Sequence, residues 1–315
     1  MIQKRIFING AMRVRVKDVK TELMTKDYVH LHNHTHFSVL DGLTKIGPLV
    51  TQVKERGMEA VAITDHGTLS GAIEFYKEAN NQGIKPLIGM ETYIAARKYT
   101  DKEPGKDKVY YHLTLIAMNN QGYKNIMRLS SIANLEGFYY KPRIDFELLS
   151  KYNEGLVVLS GCIGGEVSDA IRNGQIEQAT AIAKKYKKVF KDRYFLELMD
   201  HGHKDHPSRW PEQTAVNEQL LKIGKDLDID CVVTCDAHYL RHEDQEAHEI
   251  LLCVQTSSYL SDQDRMSLSE FELHVTDPDE IIKRWGKDYR TGGATSPWSE
   301  DNPLRSSPSH KVVND

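Results

Sequence analysis

Cysteine is scarce in this sequence. The 315 residues hold four, Cys162, Cys231, Cys235 and Cys253, and no Cys-x-x-Cys pair. That argues against a disulfide framework and for a reducing, cytoplasmic setting. Long apolar runs are also lacking. None approaches the ~20 residues that cross a bilayer, so no membrane partner is expected, and no signal peptide is visible. Charge of one sign is not in excess either. A formal net charge of −4 creates no global field for nucleic acid, so any DNA contact must be local. With 40% hydrophobic and 27% charged residues, the composition is that of a soluble globular protein, one large domain or two ordinary ones.

Histidine, by contrast, is abundant, at fourteen residues, and it clusters. In residues 28–42, His30, His32, His34 and His36 fall at alternating positions. Residues two apart on an extended chain share a face, and several imidazoles on one face make a metal-site candidate. The alternatives are a polar strand face or a purification-tag scar. A tag is disfavoured because the histidines are not consecutive.

Short apolar runs then alternate with amphipathic stretches. Strands are predicted over 28–32, 59–64, 86–91, 112–117, 156–160, 194–198 and 231–236. Helices are predicted for Ile46 to Arg56, stopped by Gly57, and for Gly71 to Asn81, capped by Ser70 and stopped by Gly83. Others are Gly122 to Leu135, Ile176 to Phe190, Pro211 to Leu227, and a helix capped by Asp244 that runs to about Gln255. Seven strands interleaved with helices predict an α/β barrel, whose chemistry sits in the loops after the strands. The polar residues fall there: His32 and His34, Asp65 and His66, Glu91, Cys162, and Asp236 and His238 all close or follow strands. His112 instead opens its strand. Either that strand runs antiparallel or the ligand arrives from an unusual direction.

The motifs His-Leu-His-x-His-Thr-x-Phe-Ser-x-Leu-Asp-Gly, Thr-Asp-His-Gly, Gly-x-Glu, His-Leu-Thr-Leu, Leu-Ser-Gly-Cys and Asp-x-His-Tyr follow in that order. Together they resemble the polymerase and histidinol phosphatase (PHP) domain. More narrowly they are similar to the form of it that opens the alpha subunit of bacterial DNA polymerase III. The connecting segments 71–76, 135–145 and 190–198 agree, and the likeness runs over about residues 28–290. It implies a distorted (β/α)7, TIM-like barrel with up to three metal ions. The implied ligands are His32, His34, Asp41, His66, Glu91, His112, Cys162, Asp236 and His238. Glu91 would bridge two ions and work with Asp236 and His238 in catalysis, His30 would support the ligands, and Asp65 would orient His66. Imidazoles with one thiolate favour zinc, and the carboxylates leave manganese or iron open. The implied reaction is phosphodiester hydrolysis, as a 3′–5′ exonuclease or proofreading activity on a DNA 3′ end. Implied partners are the remaining polymerase domains and other replisome subunits. A metal-stabilised scaffold and a histidinol-phosphate-type phosphatase are the alternatives.

Lys141 and Arg143 are the candidate phosphate-binding residues, beside Tyr139 and Tyr140, which could stack a base; a plain solvated loop is the other reading. His201, His203 and His206 read as a polar loop, His248 and Cys253 as helix packing, and Cys231 and Cys235 as small hydrophobes. The domain is expected over 27–290. Residues 1–26 look like an extension ahead of a natural start at Met24, with a short strand near Arg13 to Val16. Residues 291–315, with Gly-Gly, three Pro and many Ser, look like a disordered tail. No polymerase palm aspartates follow, so no primer extension is expected of this chain.

Overall fold

A computed structural model describes residues 6–8, 11–13, 28–201 and 211–290, with side chains through residue 285 of the last helix. The elements run β1 (Ile6–Ile8), β2 (Ala11–Arg13), α1 (Ile46–Glu55), β3 (Ala60–Ile63), α2 (Ala72–Gln82), β4 (Lys85–Ala95) and β5 (Tyr110–Ala117). They continue with α3 (Asn120–Leu135), β6 (Phe138–Tyr139), β7 (Lys141–Ile144), α4 (Phe146–Lys151), β8 (Leu156–Leu159), α5 (Glu166–Arg172) and α6 (Ile176–Phe190). The last are β9 (Tyr194–Met199), α7 (Pro211–Leu227), β10 (Cys231–Thr234), α8 (Gln245–Thr256) and α9 (Pro278–Arg290). The pair β1–β2 forms its own antiparallel ribbon. Residues 14–16 of the strand expected there, Met24 and the tail 291–315 lie outside the described residues.

The main sheet is mixed and strongly curled, in the order β10-β9-β8-β5-β4-β7-β6, with β3 also on β4. Strands β3, β8 and β10 are buried along their whole length, as Ala-Val-Ala-Ile, Leu-Val-Val-Leu and Cys-Val-Val-Thr. Strands covered on both faces read as continuous apolar runs, with alternate side chains going to opposite sides. Ala60, Ala62, Val157, Leu159, Phe195 and Val232 pack with Val29 and Leu31 inside the curl. Their neighbours Val61, Ile63, Leu156, Val158, Leu196 and Val233 pack outward in the larger cluster that takes in the helices.

Strand β5 runs antiparallel to both β4 and β8, whereas β3–β4, β8–β9 and β9–β10 are parallel. This resolves the placing of His112. Reversal brings the start of β5, not its end, to the rim that the other strands reach with their C-termini.

The segment 28–35 is less regular than the alternating histidines suggest. It forms isolated bridges, not a ladder, with Asn33 paired to Ala237. The carbonyls of His30 and Asn33 accept from Ala62 and Thr64, while that of His32 accepts from Ala237. Carbonyls turned to one neighbour should recur every two residues, and here they are three apart, so the chain bulges. The bulge rotates His30 away from His32 and His34. His30 Nε2 lies 2.8 Å from the Thr276 carbonyl, and His36 is exposed.

Several helix starts also differ from expectation. Gly71, not Ser70, precedes α2 without a side-chain bond, and Ser70 Oγ pairs with Thr68 at 2.7 Å. Asn119 caps α3 by accepting from Gly122 N, which starts the helix at Asn120. The Asp244 side chain accepts from Arg241 N and so closes the turn before α8. No helix among the described residues is long and apolar enough to cross a membrane.

Candidate metal centre

All nine expected ligand positions meet at the rim. Donor atoms of His34, His66 and His238 lie within 4.8 Å of one another, as do those of His32, His34 and Glu91, and those of His66, Glu91 and His112. The three triads overlap through His34, His66 and Glu91. Asp41 joins through His66, with Oδ2 2.7 Å from Nε2. Asp236 Oδ1 lies 3.2 Å from His32 Nε2 and 3.1 Å from His34 Nε2. Cys162 Sγ lies 3.5 Å from His112 Nδ1 and 3.9 Å from Glu91 Oε1. The His34 ring stacks against those of both His66 and His238, at centroid distances of 4.1 and 4.4 Å.

Local backbone serves this convergence. Asp236 sits at φ 48°, a left-handed conformation that Asp tolerates better than most residues but still at a cost. At Gly161, φ is 85° and a Cβ would stand 2.4 Å from the His112 carbonyl oxygen, so only glycine lets the Cys162 loop approach the start of β5.

A metal fits this donor set. His66 Nδ1 lies 2.6 Å from Glu91 Oε2, yet the contact lacks hydrogen-bond geometry, and both atoms are without a hydrogen-bond partner among the described residues. Two adjacent buried donor atoms with no hydrogen-bond partner suit a shared cation, which would displace any proton that His66 otherwise carries. Three carboxylates, from Asp41, Glu91 and Asp236, crowd one largely buried volume. Burying even one unpaired carboxylate costs several kcal/mol, so the cluster calls for positive charge. Protonated imidazoles supply some of it. Burial opposes charge on His66, but Glu91 and Asp41 outweigh it and raise its pKa to about 10. His32 is likewise raised, against burial, by Asp236, Glu197 and Glu91. Burial, with His66 and His238 close by, drives His34 down to about 3.

The sequence reading missed Glu197. It lies midway along β9, and its carboxylate meets His32 Nδ1 at 2.7 Å, accepts from Thr234 Oγ1 at 2.7 Å and accepts from Gly161 N at 3.0 Å. It fixes the His32 ring with Nε2 toward the other ligands. The signal was present: one carboxylate in the otherwise apolar Tyr-Phe-Leu-Glu-Leu-Met. Asp65 differs from expectation. It accepts from Thr35 N, Thr35 Oγ1 and Ser38 Oγ, so it shapes the loop after His34 and does not hold the His66 ring. Asp41 and Glu91 do that.

Arg143 is not placed to bind substrate. The residue is 1% exposed, and its guanidinium donates to the carbonyls of Gly137, Asp107, Tyr99 and Asp101. Lys141 stays at the mouth, with Nζ 5.4 Å from the centre of the Tyr93 ring. His201 is buried beside Phe271 and is no part of a solvated loop; His203 and His206 lie outside the described residues. His248 packs as expected, with Nε2 2.9 Å from the Asp41 carbonyl. Cys231, Cys235 and Cys253 are buried and free.

The supporting histidines make stability pH-dependent. Burial lowers His30 and His274 to about 4 each, against 6.5 in the unfolded chain. A depressed histidine stays neutral in the fold while the unfolded chain takes up protons, so stability present above 6.5 is lost as pH falls toward 4. The raised histidines His32 and His66 gain stability as pH falls toward 6.5 and contribute fully below it, so they offset part of the loss near 7 and little of it further down. Each depressed histidine contributes on the order of 2 kcal/mol between pH 7 and pH 5. The urea midpoint of chelator-treated protein should fall clearly over that interval. An unchanged midpoint would contradict the assignment.

The profile of the PHP domain matches residues 30–201. The chain is 44% identical over 258 residues to the DNA polymerase III subunit alpha of Thermus aquaticus, across 81% of this chain and 21% of that one. It is 42% identical over 257 residues to that of Borreliella burgdorferi, across 81% and 22%. The chain thus spans about a fifth of the length of these curated relatives. A histidinol phosphate phosphatase from Lactococcus lactis, solved with zinc, L-histidinol and phosphate, overlaps 74% of this chain and 95% of its own. Its 17% identity and TM-score of 0.34 are too low to bear on any residue. The profile spans the segment from His30 through the end of β9, and so most of the expected ligand positions at the rim, and by that match this chain belongs to the PHP domain family.

Proposed function

We propose that residues 27–290 are the PHP domain of a bacterial replicative DNA polymerase III alpha subunit, and that this domain hydrolyses phosphodiesters at a DNA 3′ end. The overlap of three ligand triads through His34, His66 and Glu91 carries the reading, because it suits up to three ions sharing ligands. The ligands are His32, His34, Asp41, His66, Glu91, His112, Cys162, Asp236 and His238, with zinc first and manganese or iron as alternates. The fold is a distorted (β/α)7 barrel. Hydrogen bonds from the segment 30–34 to β3 on one side and to Ala237 on the other support closure of the curled sheet.

Held by these nine residues, cations would supply Lewis-acid chemistry, polarising a phosphoryl oxygen and acidifying a water. The protein's part is geometry and proton control. Glu197 fixes His32 through Nδ1, and Ser38 Oγ, 2.9 Å from His34 Nδ1, does the same for His34, so both present Nε2. Burial, with Glu91 and Asp236 nearby, holds the Cys162 thiol well above its usual pKa, so its proton leaves only on metal binding. The side chains of His66 and His112, 16% and 24% exposed, form the open side through which a phosphodiester enters. Lys141 stands there to meet its charge. The remaining polymerase domains and other replisome subunits are the proposed partners.

The test is release of nucleotide from an oligonucleotide labelled at its 3′ end. Release should appear with added zinc or manganese and stop with chelator. Metal bound by elemental analysis without any release would make the domain a metal-stabilised scaffold. Efficient turnover of histidinol phosphate in its place would make it a small-molecule phosphatase.

A further inference from the structure

Beside the metal centre stands a hairpin, β6–β7, that presents aromatic rings to solvent. Phe138 is 52% exposed and Tyr140 59%. Tyr140 occupies the apex between paired residues Phe138 and Pro142, at φ 62°. Glycine or asparagine normally fills such a left-handed apex, and a tyrosine there carries a standing conformational cost. Below it the Tyr139 ring packs edge-on, with centroids 4.7 Å apart, over the buried Arg143 guanidinium at 5.3 Å. The exposed ring therefore stands on a rigid base.

Two cations flank it. Lys108 Nζ lies 5.0 Å from the Tyr140 ring centre, and Lys141 Nζ lies 5.4 Å from that of Tyr93. Neither has a carboxylate partner among the described residues, whereas Arg97 and Lys106 nearby are paired with Asp107 and Glu103. The hairpin is also tied to the metal centre. Pro142 packs so closely on Gly67, next to His66, that a Cβ on Gly67 would stand 2.7 Å from its Cγ. The Tyr93 ring lies 5.9 Å from that of His66 and 5.3 Å from that of His112.

We infer that this hairpin is a docking platform for single-stranded DNA, with a base stacked on Tyr140 and adjoining phosphates held by Lys108 and Lys141, so that the strand's end is led past Tyr93 to His66 and His112. The inference rests on the hydrolytic reading for the direction of the strand. Stacked rings with unpaired lysines fit an unpaired strand, whose bases expose their faces; a duplex keeps them covered. A peptide partner for the same rings would not call for the two lysines.

The test is fluorescence anisotropy with the whole chain, zinc, and a labelled phosphorothioate oligothymidylate that resists hydrolysis. Tyr140→Ala should weaken binding about tenfold, as loss of one stacked base does. Tyr140→Gly suits the left-handed apex, so it keeps the fold and should show the same loss. Lys141→Ala should lower the slope of log affinity against log salt by about 0.7, one phosphate contact. Tyr259→Ala, at a 77% exposed tyrosine outside the hairpin, should bind as the parent does. Parent-like binding by both Tyr140 variants overturns the platform, and so does blunt duplex bound as tightly as the single strand. Tyr140-dependent binding without nucleotide release would sink hydrolysis and leave the platform standing; release with Tyr140-independent binding would do the reverse.

Discussion

Glu91→Ala is expected to cut nucleotide release by at least about a thousandfold and to lower the metal content of the purified chain. Glu91 lies in two of the three triads, and its two oxygens face His112 at 2.9 Å and His66 at 2.6 Å. Burial alone would raise its pKa, but His112, His66 and His32 outweigh that and keep it ionised. It is therefore an anion held ready between neighbouring positions. Metal-assisted stabilisation of a phosphoryl transition state contributes several kcal/mol, and each 1.36 kcal/mol is tenfold in rate. Loss of the shared ligand should release at least one ion per chain, read by elemental analysis beside the rate. A variant that keeps both the parent's metal content and its rate would remove Glu91 from the centre.

Arg143→Ala should destabilise the domain by about 4 kcal/mol, on the order of 1 kcal/mol for each buried hydrogen bond lost. The four carbonyls belong to Tyr99, Asp101, Asp107 and Gly137, so one side chain ties the loop 96–109 to the turn that precedes β6. Arg143→Lys should recover only part of the loss, because an ammonium cannot reach in a planar fork. Thermal or urea unfolding reads the effect. If both variants unfold like the parent and only oligonucleotide binding weakens, Arg143 would be a phosphate ligand after all.

The candidate metal centre was legible because its expected ligands are rare residue types placed at the ends of apolar strands. His32, His34, His66, Glu91, Cys162, Asp236 and His238 could be located by counting from predicted strands alone. The reversal of β5 could only be suspected, since no local pattern sets strand direction; His112 at the wrong end was the clue. Arg143 was misread because a charged residue beside two tyrosines looks the same whether its partners are phosphates or carbonyls. Those carbonyls come from residues up to 44 positions away. Glu197 was overlooked because its role depends on His32, 165 residues earlier in the chain. The alternation of histidines misled at His30, since a bulge of one residue changes which face a side chain takes and leaves no mark in composition.

The backward course of β5 also decides where the domain tolerates redesign. Because the chain leaves the rim after β4 and re-enters it at β5, the excursion 96–109 lies on the rim side of the sheet. Grafting a longer excursion there would narrow or widen the doorway without touching a ligand. The short link 118–119 turns at the opposite end, and a splice at that point should leave the chemistry indifferent.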